Sequence, residues 1–150
     1  MQPTSRHEAA EQSPGFLLWR ATLSWQRRIR AALAPHGLTH VQFVLLTSLW
    51  WLEDHAAGQP SQSELAAHAG TDPMMTSQVI RKLAARELVE RHSDPADSRA
   101  LQLALTGSGR RLLAGALADV EAADEAYFAA LGDQRDAFAR ALTRLSPDKP

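Results

Sequence analysis

Cysteine is absent from this 150-residue chain. Its absence excludes a disulfide framework, thiolate metal sites, a cysteine nucleophile and a thiol redox switch. Long apolar runs are missing too. The longest, residues 43–52, spans ten positions and includes Thr47 and Ser48, well short of the roughly 18 residues of a membrane-crossing helix. Residues 1–13 are polar and carry two glutamates, unlike a secretion signal or transit peptide. The expected location is the cytoplasm, with no membrane partner. Neither sign of charge dominates: 16 basic residues face 17 acidic ones, for a net charge of −1. A general polyanion binder is far more basic, so any nucleic-acid contact must come from local placement. Catalytic signatures are lacking as well. There is no nucleophile motif and no glycine-rich phosphate loop, so neither an enzyme nor a bound cofactor is expected.

What is present suits one globular domain. Hydrophobic residues make up 45% of the chain and charged residues 22%, and a chain of this length buries roughly 68–70% of its unfolded surface. Charge is unevenly placed: residues 12–52 hold no acidic side chain, while Arg20, Arg27, Arg28 and Arg30 supply four positive charges.

Ser13-Pro14 opens a first helix with a cap followed by proline, and Leu18, Thr22, Trp25, Ile29 and Leu33 carry its apolar stripe to about residue 34. Thr39-x-x-Gln42 is a capping box for a second helix running to about residue 56. Ser61-x-x-Glu64 is another, for a short helix ended by Gly70. Asp72-Pro73 then starts a fourth helix, with Thr76, Val79, Ile80 and Leu83 inward, running to residue 86 or 87. Two helices joined by so short a turn form a helix-turn-helix. Leu101, Leu103 and Leu105 alternate as a half-buried strand and pair with residues 88–92 across a six-residue loop, 93–98, rich in turn formers. Thr106 caps a long helix from 107 to about 131, and Gly132-Asp133 begins a last one. The fold class is mainly α with a small antiparallel β wing.

In a winged helix-turn-helix the second helix enters the major groove of double-stranded DNA. Its outward positions here are Met74, Met75, Ser77, Gln78, Arg81 and Lys82. Gln78 can pair with adenine and Arg81 with guanine, while Ser77 can serve base or phosphate. Ser61, Thr71 and Pro73, at the helix starts and the turn, complete the candidate contacts. The start of the reading helix offers N–H groups and a positive dipole end suited to a phosphate. In the wing, Arg99 suits a narrow minor groove, and Asp97 is placed to brace it.

Ser63-Glu-Leu-Ala66, the helix opened by Asp72, Leu88-Val-Glu-Arg91, Asp94-Pro-x-Asp97-x-Arg99 and Leu105-Thr106-x-x-Gly109 stand in this order and spacing. Together they resemble the MarR family of bacterial winged-helix repressors. The likeness spans residues 14–146 as architecture and is most specific over 61–110. Glu87 departs from it where relatives usually have glycine, and Ser98 where they often have arginine. The resemblance implies one domain. Residues 61–106 form its winged unit, and residues 14–57 and 107–146 supply helical support and N- and C-terminal dimerisation helices. A homodimer agrees with the apolar excess on the terminal helices (Phe16, Leu17, Leu112, Leu113, Leu117, Tyr127, Phe128, Phe138, Leu142).

The family also implies a small-molecule effector pocket. Trp19, Trp25, Trp50 and Trp51 all lie in the first two helices, and aromatic lining suits an aromatic or amphipathic ligand. Filling the dimer core is the other role open to them. The histidines, His36, His40, His55, His68 and His92 among them, lack the compact spacing of a metal site, so no metal is expected. Two other readings stay open: a winged-helix protein-interaction module, because residues 61–100 net −1, and a metal-responsive regulator.

Overall fold

The computed structural model describes residues 2–55, 58–93, 95–97 and 100–146. Among these residues six α-helices and one hairpin follow one another: α1 (Pro14–Leu33), α2 (His40–His55), α3 (Gln62–Ala69), α4 (Pro73–Ala85), β1 (Val89–Ser93), β2 (Leu101–Leu105), α5 (Gly107–Phe128) and α6 (Arg135–Leu145). The helix starts follow the sequence rules. Ser13 Oγ accepts the Phe16 N–H, Thr39 and Gln42 exchange bonds of 3.0 and 3.2 Å, Ser61 and Glu64 close a full capping box, and Thr106 Oγ1 accepts the Gly109 N–H at 2.9 Å.

α2 is the centre. Phe43, Leu45, Leu46, Ser48 and Leu49 are buried on it, and it contacts α1, α3, α4, α5 and β2. Because it is surrounded, its sequence is apolar nearly all round. α1 runs antiparallel to α5, since His36 meets Asp119, Trp25 meets Asp124, and Ala21 meets Tyr127. One core runs from Ile29 and Leu33 of α1 through α2 to Leu65, Ile80, Leu83, Leu103 and Leu113. The winged unit and its helical support therefore share one apolar interior.

Three boundaries differ from the sequence reading. β1 extends to Ser93, which pairs with Leu101, so Ser93 belongs to the strand rather than to the loop, and β2 begins at Leu101. α5 stops at Phe128 rather than near 131. A tighter 3₁₀ stretch, Ala129–Gln134, follows, with Gly132 at φ 53°, ψ −125°, a conformation that favours glycine. The last helix begins at Arg135, and the reversal brings the Phe138 ring within 5.9 Å of Phe128. The hairpin also gains an edge contact: Leu103 donates its N–H to Pro60 O at 2.9 Å, and Ser61 bridges Gln102.

Glu87, the departure from the family pattern, sits at φ 57°, alone among the described non-glycine residues with positive φ. The chain takes the left-handed turn glycine usually provides, and Leu88 N–H still reaches Leu83 O at 3.0 Å. A side chain there costs about 1 kcal/mol. Glu87→Gly should therefore raise stability by about that amount in urea denaturation, less the larger entropy of the unfolded chain. No gain would mean the Glu87 side chain offsets its own strain.

Candidate nucleic-acid interface

α3, a three-residue turn and α4 place one face of α4 in solvent. Met74 is 71% exposed and Met75 39%, and Gln78, Arg81 and Lys82 are exposed beside them. Ser77 is half-buried, and its Oγ accepts from Arg81 Nη2 at 3.2 Å, one helical turn on, which steadies the guanidinium along the face. Beneath, Thr76 is fully buried. Its hydroxyl donates to Asp72 O at 2.8 Å and lies 2.7 Å from Thr71 Oγ1. Thr71 thus ties the turn together. Ser61 Oγ accepts the Glu64 N–H, so it too is engaged locally. Thr71 and Pro73, with Gln62 and Ser63, line a cleft of about 240 Å³ between the starts of α3 and α4.

The expected phosphate seat at the α4 N-terminus is not there. Asp72 Oδ1 accepts the N–H groups of both Met74 and Met75, at 2.9 and 3.0 Å. Thr76 N–H goes to Asp72 O, and Pro73 has no N–H to give. The capping carboxylate takes the donors an anion would need and adds like charge.

In the wing, Asp97 is exposed and its carbonyl accepts the Ala100 N–H at 3.0 Å. Arg99, with Asp94 and Ser98, lies outside the described residues. Arg86 of the α4 C-cap is turned away from the reading face: its Nη1 donates to Gly37 O at 2.9 Å.

The four tryptophans do not converge. Trp50 lines a cavity of about 260 Å³ between α2 and α5, with Arg110, Leu113, Ala114 and Leu117. Trp25 lines a separate groove of about 230 Å³ with Leu18, Tyr127, Phe128, Phe138 and Leu142, and its Nε1 donates to Asp124 at 2.7 Å. Trp51 stacks on His55 at 3.9 Å in solvent. Trp19, at 62%, is still more exposed. Beside the first cavity stands a residue the sequence reading missed. Glu53 of α2 accepts the Leu105 N–H at 2.8 Å and the Arg110 guanidinium, joining α2 to the end of the wing and the start of α5. Its signal in the sequence was positional: it ends the acid-free stretch.

Among the described residues no three His, Asp or Glu side chains are grouped as a metal site. His36 pairs with Asp119 at 2.6 Å and His92 with Glu90 at 3.1 Å. Burial holds His40 below its ordinary pKa of 6.5, Arg30 pushes the same way, and Asp124 opposes. The unfolded chain therefore binds a proton here that the folded chain refuses. Stability from this site is full above about 6.5 and is lost as pH falls below it. Urea denaturation on either side of that pH should show a smaller acid-side loss in His40→Gln than in the parent chain. Equal losses would place the titration elsewhere.

The MarR family model matches residues 38–101. The HTH-type transcriptional regulator YdcH of Bacillus subtilis is 45% identical over 130 residues, covering 87% of this chain and 88% of its own. The HTH-type transcriptional repressor Rv2887 of Mycobacterium tuberculosis is 37% identical over 93% of this chain and 98% of its own. Rv2887 has been solved in complex with DNA (TM-score 0.69) and with salicylic acid (TM-score 0.66). The repressor CouR, bound to a 23-mer DNA duplex, superposes with a TM-score of 0.85 at 27% identity, covering 97% of this chain and all of CouR. Related to these regulators along most of its length and in overall fold, the chain belongs to the MarR family of HTH-type transcriptional regulators.

Proposed function

We propose that the protein is a dimeric, sequence-specific DNA-binding repressor whose operator affinity is set by a small ligand. The observation that carries this is the exposed face of α4, where Gln78, Arg81 and Lys82 follow one another on a helix held by a short turn and a wing. Solved relatives of the same architecture sit on DNA. The proposed dimer uses α1, α5 and α6. Phe16, Leu17, Leu18, Phe138, Leu142 and Leu145 stay exposed in the single chain, a patch that a second copy can cover. No helix among the described residues is long and apolar enough to cross a membrane, so this patch is not a spanning segment. For the ligand we propose an aromatic or amphipathic compound in the α2–α5 cavity, with Trp50 as its aromatic wall. Relatives named as transcriptional regulators, together with a sequence that carries no nucleophile motif or glycine-rich phosphate loop, support a non-enzymatic role, in the cytoplasm.

Selection from fragmented genomic DNA, followed by footprinting, tests this. The protected site should be pseudo-palindromic with half-site centres about 34–36 Å apart. Arg81→Ala should relax base preference at one position per half-site by about 1–3 kcal/mol. Arg99→Ala should weaken all sites together and flatten the salt dependence. A chain that recovers no DNA would be read instead as a protein-interaction module.

A further inference from the structure

We infer that Met74 and Met75 form an oxidation-sensitive site through which peroxides or hypohalous acids weaken the hold on DNA. The inference rests on the DNA-binding reading above and adds a chemical input to it. With no cysteine in the chain, thioethers are its softest nucleophiles, and apart from the first residue there are only these two. They are adjacent, and both are exposed. Neither belongs to the core or to the half-buried apolar residues packed on it. The fold therefore leaves both side chains exposed and does not use them in its core.

Their place gives the modification its consequence. Both stand in the first turn of α4, on the face that carries Gln78, Arg81 and Lys82. With hydrogen peroxide, a sulfur lone pair attacks one oxygen, the O–O bond breaks and an S–O bond forms. The departing hydroxide takes the proton from the new S–OH and leaves as water. Sulfur loses two electrons and peroxide gains two. An apolar, deformable group becomes a polar acceptor. DNA answers it poorly over most of its surface, because phosphates, purine N7, guanine O6 and thymine O4 are acceptors too, only adenine N6 and cytosine N4 can donate, and a thymine methyl loses its apolar contact. The start of α4 cannot satisfy the new oxygen, since Asp72 already holds the Met74 and Met75 N–H groups. Gln78, four residues beyond Met74 on the same face, can donate only by leaving a base edge.

The test treats the full chain with hydrogen peroxide, maps the oxygen gain by peptide mass spectrometry and measures affinity for a duplex recovered by the selection. Affinity should fall about tenfold, the scale of one polar group buried without a partner, with an unchanged melting temperature. Methionine sulfoxide reductases should restore it. A Met74→Leu/Met75→Leu variant should keep its affinity through the same treatment. Oxidation mapped to Met74 and Met75 with unchanged affinity, or an equal loss in the double leucine variant, would overturn the inference while leaving the DNA-binding reading intact. An untreated chain that retains no duplex would remove both.

Discussion

Gly109→Ala should cost about 3 kcal/mol or more, lowering the melting temperature by roughly 6–12 °C for a chain of this size. A Cβ on Gly109 would lie 2.1 Å from Leu88 O and 3.0 Å from its carbonyl carbon. The obstacle is backbone, which no rotamer change can clear. The same carbonyl accepts the Thr106 N–H at 3.1 Å, so pushing it away also loosens the cap of α5. Leu88 leads into the wing, and Gly109 is where α5 passes over it. The close approach accounts for the glycine in the Leu-Thr-x-x-Gly pattern by sterics alone. Gly107, two residues earlier, is the control. A Cβ there meets only the Arg111 Nη1 at 3.5 Å, an ordinary contact with a flexible side chain. Gly107→Ala should change stability by no more than about 0.5 kcal/mol. Equal losses from the two substitutions, in thermal and urea denaturation, would remove the steric account.

Gly109 also marks the limit of what the sequence makes legible. Its spacing after Thr106 is visible, but the cause is a contact with a residue twenty-one positions earlier, and nothing local announces it. Features whose partners lie within four residues were readable. The capping pairs Thr39 and Gln42, and Ser61 and Glu64, were found because both members sit in one turn. The alternation of Leu101, Leu103 and Leu105 likewise identified the strand, since the pleat itself sets the period.

The phosphate seat on α4 failed for an instructive reason. Asp72 was correctly placed as the cap, yet a cap works by taking the N–H groups an anion would use. The two expectations compete for the same donors, and the carboxylate, being covalently present, wins. The end of α5 was misplaced because Ala129, Ala130 and Leu131 suit a helix. Only the backbone of Gly132 decides that the chain turns. The tryptophans were grouped by proximity in sequence, but helices distribute neighbours around their circumference. Trp50 faces α5, Trp51 faces solvent, and Trp25 lies on another helix against Asp124. The four tryptophans therefore line no common pocket, and Trp50 and Trp25 line one cavity each.

Glu53→Ala should destabilise the chain by about 2–3 kcal/mol, whereas Glu53→Gln should cost about 1 kcal/mol or less. Glu53 is 11% exposed and Arg110 48%, so the two bonds of this carboxylate are unequal. The ion pair with Arg110 is open to water on one side and is worth less than about 1 kcal/mol. The bond from Leu105 N–H is part-buried, and a donor left there without a partner costs about 1–3 kcal/mol. Glutamine keeps an acceptor for that donor and loses only the charge; alanine loses both. The position matters beyond stability. Leu105 is the last residue of β2 and pairs with Val89 at the inner end of the hairpin. Glu53 lies three residues beyond Trp50 on the same helix, and Arg110 lines the cavity beside that tryptophan. A displacement of α2 at the cavity would therefore reach the wing through one carboxylate. Hydrogen exchange should separate local from global effects. Under native conditions Glu53→Ala should accelerate exchange across 101–105 more than across α3 and α4, and Glu53→Gln should leave 101–105 close to the parent chain. If the two variants exchange alike, the Leu105 bond contributes little, and the wing is held by Pro60 and the β1 ladder alone.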